Sequence, residues 1–275
     1  MKKFIIPVDF SETSLNAAHY AAAFTNDVKD AEIILYNVFD KIEAGSDGTP
    51  LESDDEGRKS VIELVLNSLK ADIAKLTNAD ISVLAEEDDY FVDSLERYVR
   101  HQDVDAIIMG ITGATRLSQI VMGSNTLKVV RRKIAPVIIV PPDAQYKAAK
   151  NVLLISDLKD VDRTIPTEPI KDMLSFLKAK LYILNVDSEH YIELSDEYKE
   201  EKAKLDAIVK DFNPEYSFMR LYDFVDAIDE FVEDNKIDMI LTVPKNDSTL
   251  SNFFKTTHTS RLAYHSHIPI IAIHT

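Results

Sequence analysis

The feature that most constrains this chain is that one unit is written twice. Residue 4 laid on residue 152 matches two stretches without a gap. Phe4-Ile-Ile-Pro-Val-Asp9 falls on Val152-Leu-Leu-Ile-Ser-Asp157, and Ala31-Glu-Ile-Ile-Leu-Tyr-Asn-Val38 falls on Ala179-Lys-Leu-Tyr-Ile-Leu-Asn-Val186. A second register then holds to the end: Phe91-Val-Asp-Ser-Leu on Phe224-Val-Asp-Ala-Ile, Asp105-Ala-Ile-Ile on Asp238-Met-Ile-Leu, and Ala135-Pro-Val-Ile-Ile-Val140 on Ile268-Pro-Ile-Ile-Ala-Ile273. A repeat this long means tandem domains rather than a solenoid. The change of register puts extra residues in the first half, in or near Lys41–Lys59, where Gly, Ser, Asp and Glu dominate. Such a segment buries little apolar area and is expected to be a mobile loop, placed to act as a flap over a ligand. The seam falls near Pro141–Lys150, dividing the chain into domains at 1–143 and 150–275.

Each half alternates strand and helix, beginning and ending on a strand. In the first half the strands are expected near 3–8, 32–38, 80–85, 105–109 and 136–140, mostly Ile- and Val-rich runs suited to burial on both faces. Leu15, Ala18, Ala22 and Phe24 stand at helical spacing on one intervening segment, and Val61, Leu64, Leu69, Ile73 and Leu76 on the next. This alternation predicts an α/β fold with a parallel doubly wound sheet, whose ligands sit beyond the carboxyl ends of the strands. Asp9 closes the first strand and Gly110 the fourth, so both are expected at one cleft.

The chain has only six glycines, and Gly110, Gly113 and Gly123 stand together between a strand and a helix. Glycine lets backbone approach a ligand closely, and the helix start at Ser124-Asn-Thr126 offers unpaired N–H groups to an anion. The pattern reads as a phosphate cradle; tight loop turns are the plainer reading. The spacing excludes a P-loop and a dinucleotide-binding Gly-x-Gly-x-x-Gly.

A formal charge of −16 argues against nucleic acid or an anionic membrane as partner. Cysteine is absent, which removes disulfides, thiol nucleophiles and thiolate metal sites. The N-terminal apolar stretch is cut by Pro7 and Asp9 and does not read as a signal peptide, and no apolar run reaches the roughly 18 residues of a membrane span. A cytoplasmic protein is expected. His265-x-His267, with His258 and His274 nearby, offers no third metal ligand in sequence, so no metal site is assigned.

Gly110-x2-Gly113-x9-Gly123-Ser124 resembles the nucleotide motif of the universal stress protein family, and Pro7-Val-Asp-Phe-Ser-Glu-Thr13 resembles its first strand-to-helix turn. The resemblance extends over both halves, as in a tandem member. It implies two flavodoxin-like (adenine nucleotide alpha hydrolase-like) domains, each a five-stranded parallel sheet of order 3-2-1-4-5. It also implies an ATP site, with Mg, lined by Pro7, Val8, Asp9, Val38, Met109, Gly110, Thr112, Gly113, Arg116, Gly123, Ser124, Asn125 and Thr126. Asp9 would hold the ribose or lie at the adenosine end, Val8 and Val38 would meet the adenine through backbone, and Gly123, Ser124 and Asn125 would donate to phosphates.

Two departures stand out. Thr112 and Ala114 replace longer polar or basic residues, and Glu86-Glu-Asp-Asp-Tyr90 is acidic where relatives have a Gly-x-Pro turn. Either a divalent cation intervenes there or the carboxylates form a solvated loop pointing away. In the second half Gly110, Gly113, Gly123 and Ser124 become Val243, Asn246, Thr256 and Thr257, so the cradle is lost there. The implied function is regulatory ATP binding in stress response, with little or no turnover and no catalytic residue. The alternatives are a slow ATP-hydrolysing enzyme, for which only Arg116, Ser118 and Lys128 stand nearby, or a scaffold without nucleotide. In this strand order the apolar fifth strands are sheet edges, which invite aggregation unless paired. The halves are therefore expected to pair through them, and a homodimer of whole chains stays open.

Overall fold

The computed structural model describes residues 1–40, 55–111, 123–186, 196–219, 224–244 and 268–274. In the first half β1 (Lys2–Pro7), β2 (Ala31–Phe39), β3 (Asp80–Glu87), β4 (Ala106–Gly110) and β5 (Val137–Val140) alternate with α1 (Glu12–Thr25), α2 (Asp55–Ile73), α3 (Phe91–Gln102) and α4 (Ser124–Arg132). The second half repeats the order with β6 (Asn151–Ile155), β7 (Lys180–Val186), β8 (Glu215–Met219), β9 (Met239–Thr242) and β10 (Ile270–Ala272). Its helices are α5 (Val161–Thr164), α6 (Thr167–Leu177), α7 (Asp196–Val209) and α8 (Phe224–Asn235). The last expected helix of this half lies outside the described residues.

The strands form one ten-stranded sheet of order β3-β2-β1-β4-β5-β10-β9-β6-β7-β8. Each half contributes five strands in the predicted order, all parallel, and the halves meet where β5 and β10 pair antiparallel, Ile138 opposite Ile271. Both apolar edges are thereby covered. Successive strand residues alternate between two cores. Phe4 and Ile6 pack with Ala18, Phe24 and Leu66 on one face, while Ile5 packs with Leu95, Ile107 and Val129 on the other. Apolar residues at every position are what a sheet covered on both faces requires.

The repeat extends to backbone detail. Asp105 accepts from the Lys3 N–H at 2.8 Å, and its counterpart Asp238 accepts from the Asn151 N–H at 3.0 Å, each tying a fourth strand's entry to a first strand. Phe10 and Leu158 hold the same left-handed conformation, φ 62° and 50°, in equivalent turns. Asn37 donates to the Val8 carbonyl at 2.7 Å, and Asn185 to the Ser156 carbonyl at 3.0 Å.

One sequence expectation changes. The spacing that joined Val61, Leu64, Leu69, Ile73 and Leu76 mixes two faces of α2 and runs past its end: Leu69 and Ile73 are buried, Val61 and Leu64 are 61% and 71% exposed, and Leu76, beyond the helix, is 45% exposed. The seam is held against α1. Asn16 of α1 donates to the carbonyls of Pro141 and Ala144, and Tyr146 packs edge-on against Tyr20 and Phe24. Of the expected flap, residues 41–54 lie outside the described residues, and its last residues begin α2.

Candidate functional site

A cleft of about 280 Å³ opens at the carboxyl ends of β1, β2 and β4, where the sheet order reverses. Ten sequence-assigned residues are described. Pro7, Val8, Asp9, Val38, Met109, Gly110, Ser124, Asn125 and Thr126 all line the cleft, and Gly123 adjoins it as the residue before α4. Thr112, Gly113 and Arg116 lie outside the described residues.

The phosphate end is built by α4. Its first intrahelical bond runs from Leu127 N–H to the Gly123 carbonyl, so the N–H groups of Ser124, Asn125 and Thr126 precede the ladder. The cap residue Gly123 has no side chain to accept from them, and its φ of −62° and ψ of 148° suit any residue. Glycine here serves access rather than conformation. By contrast, α1 is capped by Ser11, whose hydroxyl accepts from Ser14 N–H. Basic Arg131 and Arg132 in the last turn of α4 complement its dipole and leave the positive end toward the cleft. Thr126 spends its hydroxyl on the Gly110 carbonyl at 3.2 Å, which fixes the start of α4 against β4.

Gly110 has a second reason to be glycine. A Cβ there would meet the Thr13 carbonyl oxygen at 2.4 Å, so α1 begins directly against the end of β4. That approach brings Asp9 and the start of α4 to the same opening.

Asp9 stands exposed at the cleft and accepts from Ser11 N–H at 3.0 Å and Ser11 Oγ at 2.5 Å. Partial burial pulls its pKa up, but hydrogen bonds from Ser11 and Ser14 outweigh this and hold it below the usual carboxylate range. An ionised carboxylate here accepts from hydroxyls.

The acidic turn faces away. Glu86 takes the Tyr36 hydroxyl at 2.6 Å and pairs with Arg97, and Asp88 also reaches Arg97 and accepts from Tyr90 N–H. Burial and the Glu86 bond push the Tyr36 phenol well above its ordinary pKa. None of Glu86, Glu87, Asp88 or Asp89 is among the described residues lining the cleft.

Several lining residues escaped the sequence reading: Ser11, Thr13, Ser14, Tyr36, Asn37, Asp40 and Phe91. Ser11-x-x-Ser14 carries an N-cap signature that could have drawn attention. Asn37 recurs as Asn185, but its task depends on a carbonyl from another strand. In the structure Asn37 is buried and its Oδ1 has no hydrogen-bond partner. No Lys, Arg or His is among the described lining residues. Among the described residues no cluster of three or more His, Asp or Glu could hold a metal ion, and no helix is long and apolar enough to cross a membrane. His274 is described, whereas His258, His265 and His267 lie outside the described residues.

Comparison with known proteins adds the lineage. Residues 1–141 match the model of the Universal stress protein family. The chain is 29% identical over 156 residues to Universal stress protein MJ0577 of Methanocaldococcus jannaschii, covering 50% of this chain and 94% of that one. Among solved structures, a universal stress protein from Archaeoglobus fulgidus superposes with a TM-score of 0.70 at 18% identity, covering 99% of this chain and 98% of its own. Protein PA1789 from Pseudomonas aeruginosa PAO1 superposes with a TM-score of 0.59 at 10% identity, covering 100% of this chain and 92% of its own. These two likenesses concern the fold of the whole two-part chain.

Proposed function

We propose that this chain, which belongs to the universal stress protein family, binds one ATP with magnesium in the first-half cleft and acts as a regulator with little or no turnover. One observation carries the reading: the helix start with side-chain-free access to its amides and the ionised Asp9 line the same 280 Å³ cleft. The amides of Ser124, Asn125 and Thr126 suit phosphate oxygens, because an N-terminal helix end attracts anions through fixed N–H dipoles. Asp9 suits ribose hydroxyls. Val8, Val38 and Phe91 supply the apolar wall for a base, and the unpartnered Asn37 Oδ1 fits a ligand that brings a donor. Thr112, Gly113 and Arg116 complete the proposed site.

The charge balance supports magnesium. Asp9 and Asp40 line the cleft with no basic residue among the described lining, so a triphosphate needs a divalent cation to offset its charge. Magnesium held mostly by phosphates and water needs no dedicated protein cage. Low turnover fits this site, since phosphoryl transfer depends on cationic groups and a positioned base or water, and Arg116 is the one cation assigned to it. The family match ends at residue 141, beside the seam, which supports the division into 1–143 and 150–275.

Nucleotide released by denaturing the purified protein and identified by mass spectrometry tests the ligand, and calorimetry with Mg-ATP tests the count. One site per chain is expected. Gly123→Val should abolish binding with the fold retained, because its backbone conformation tolerates a side chain while the amides behind it do not. Two equivalent sites, or full affinity in this variant, would overturn the reading; steady ADP production would favour the enzyme.

A further inference from the structure

Helix α2 carries two apolar stripes, and the sheet uses one. Leu66, Leu69 and Ile73 are buried. About a third of a turn away, Val61, Leu64 and Val65 stand 61%, 71% and 43% exposed. The second half provides an internal control. Matching the buried Leu69 and Ile73 of α2 to the buried Leu205 and Val209 of α7 sets Val61, Leu64, Val65 and Ser68 against Glu197, Glu200, Glu201 and Lys204. The fold thus accepts a fully charged outer face at this place. Its groove is also closed there: Glu201 accepts from the Val161 N–H at 2.7 Å and Leu158 is 1% exposed. In the first half, Phe10 and Leu15 instead border an open groove of about 570 Å³ beside Val65. The exposed stripe is therefore a property of this one helix, and the fold does not explain it.

The pattern names its own partner. Arg58, Val61, Val65, Ser68 and Asp72 fall at alternating steps of three and four, the spacing of a two-helix seam. One end is cationic and the other anionic. Arg58 donates to the Asp40 carbonyl at 3.0 Å and lies over the Phe39 ring, and Asp72 keeps 54% of its side-chain surface while meeting His19 and Lys75. Two such helices side by side in parallel set like charge on like. Packed antiparallel about a twofold axis at Val65, each Arg58 meets the Asp72 of the other copy, Leu64 meets Leu64, and the helix dipoles oppose.

We propose that the outer face of α2 is a homodimer interface in which two copies of the chain pack this helix antiparallel. It is separate from the β5–β10 join within the chain and does not depend on the nucleotide reading. A seam of this length is smaller than the roughly 800 Å² per partner of a standard interface, so association is concentration-dependent.

Sedimentation equilibrium of the full chain across a concentration series tests it, with circular dichroism and urea midpoints as fold controls. The wild type should shift from one to two chain masses. Leu64→Glu should raise the dissociation constant about thirtyfold or more. Arg58→Asp and Asp72→Arg alone should each weaken association about tenfold, and the double reversal should recover it. A wild type that stays monomeric at every concentration overturns the proposal and leaves the face to another occupant. A dimer unaffected by Leu64→Glu overturns it as well, and a double reversal no tighter than either single change overturns the antiparallel arrangement.

Discussion

The two halves keep the same strand order and the same bracing, and they differ at the mouth of the cleft. In the first, Gly110 lets α1 begin against β4 with the Thr13 carbonyl over its Cα. In the second, Val243 holds that place, and the helical segment after the first strand is broken into a four-residue α5 and a separate α6 entered at Pro166. A valine side chain cannot share the space that α1 takes in the first half. The shared positions maintain the sheet, while Gly110 and its replacement Val243 go with differently built helical segments beside it.

The sharpest way to break this comparison is Gly110→Val, which writes the second half's residue into the first. Its Cβ would be forced against backbone, so a loss of about 3 kcal/mol or more is expected in urea unfolding, together with loss of ATP binding. Val243→Gly should cost about 1 kcal/mol and leave ATP binding intact. Equal, small costs in both would mean that α1 gives way easily and that the halves differ for another reason.

The join between the halves is expected to respond to pH through His274, which follows β10. Both its ring nitrogens are buried without a hydrogen-bond partner. Burial, and then the charge of Lys133, pull its pKa down to about 4. The unfolded chain therefore binds the proton first, near pH 6.5, and stability falls as pH drops from about 6.5 toward 4, by about 3 kcal/mol at the lower end. His274→Phe should remove that part of the slope; denaturant midpoints of both proteins at pH 7 and pH 5 read the difference. A parallel pair of curves would show that His274 gains a partner on protonation.

Asp105→Ala and Asp238→Ala each remove the acceptor for a first-strand N–H, Asp105 losing its Lys2 ion pair as well and Asp238 its bond from the Lys150 N–H. Each should cost about 1–2 kcal/mol in urea unfolding. Unequal costs would show that the shared bracing is shared in geometry only. The smallest effect expected is on binding: Asp9→Ala should weaken ATP about tenfold, one lost charge-assisted hydrogen bond, while Asp157→Ala leaves it unchanged. If both weaken binding, the second half takes part in the site.

Where the sequence reading missed, physical reasons can be named. Val61 and Leu64 looked like core because helical spacing marks apolar stripes without saying which one meets the sheet. Gly110 drew notice as a phosphate-loop glycine, yet its contact with α1 depends on a helix registered against a strand about a hundred residues away. The acidic turn reads from its charge as one that could point away, but what holds it there, the Tyr36–Glu86 bond across β2 and β3, depends on strand pairing.

What the sequence determined by itself is the repeat, the strand runs, the helix start at Ser124 and the loss of glycines in the second half. These are local patterns of hydrophobicity and backbone freedom, and they act wherever the chain goes. The tertiary structure alone decided that the seam is pinned to α1, that the acidic residues leave the cleft, and that one apolar face of α2 stands exposed. Each of these depends on which surfaces meet, and burial belongs to a pair of surfaces rather than to a residue type.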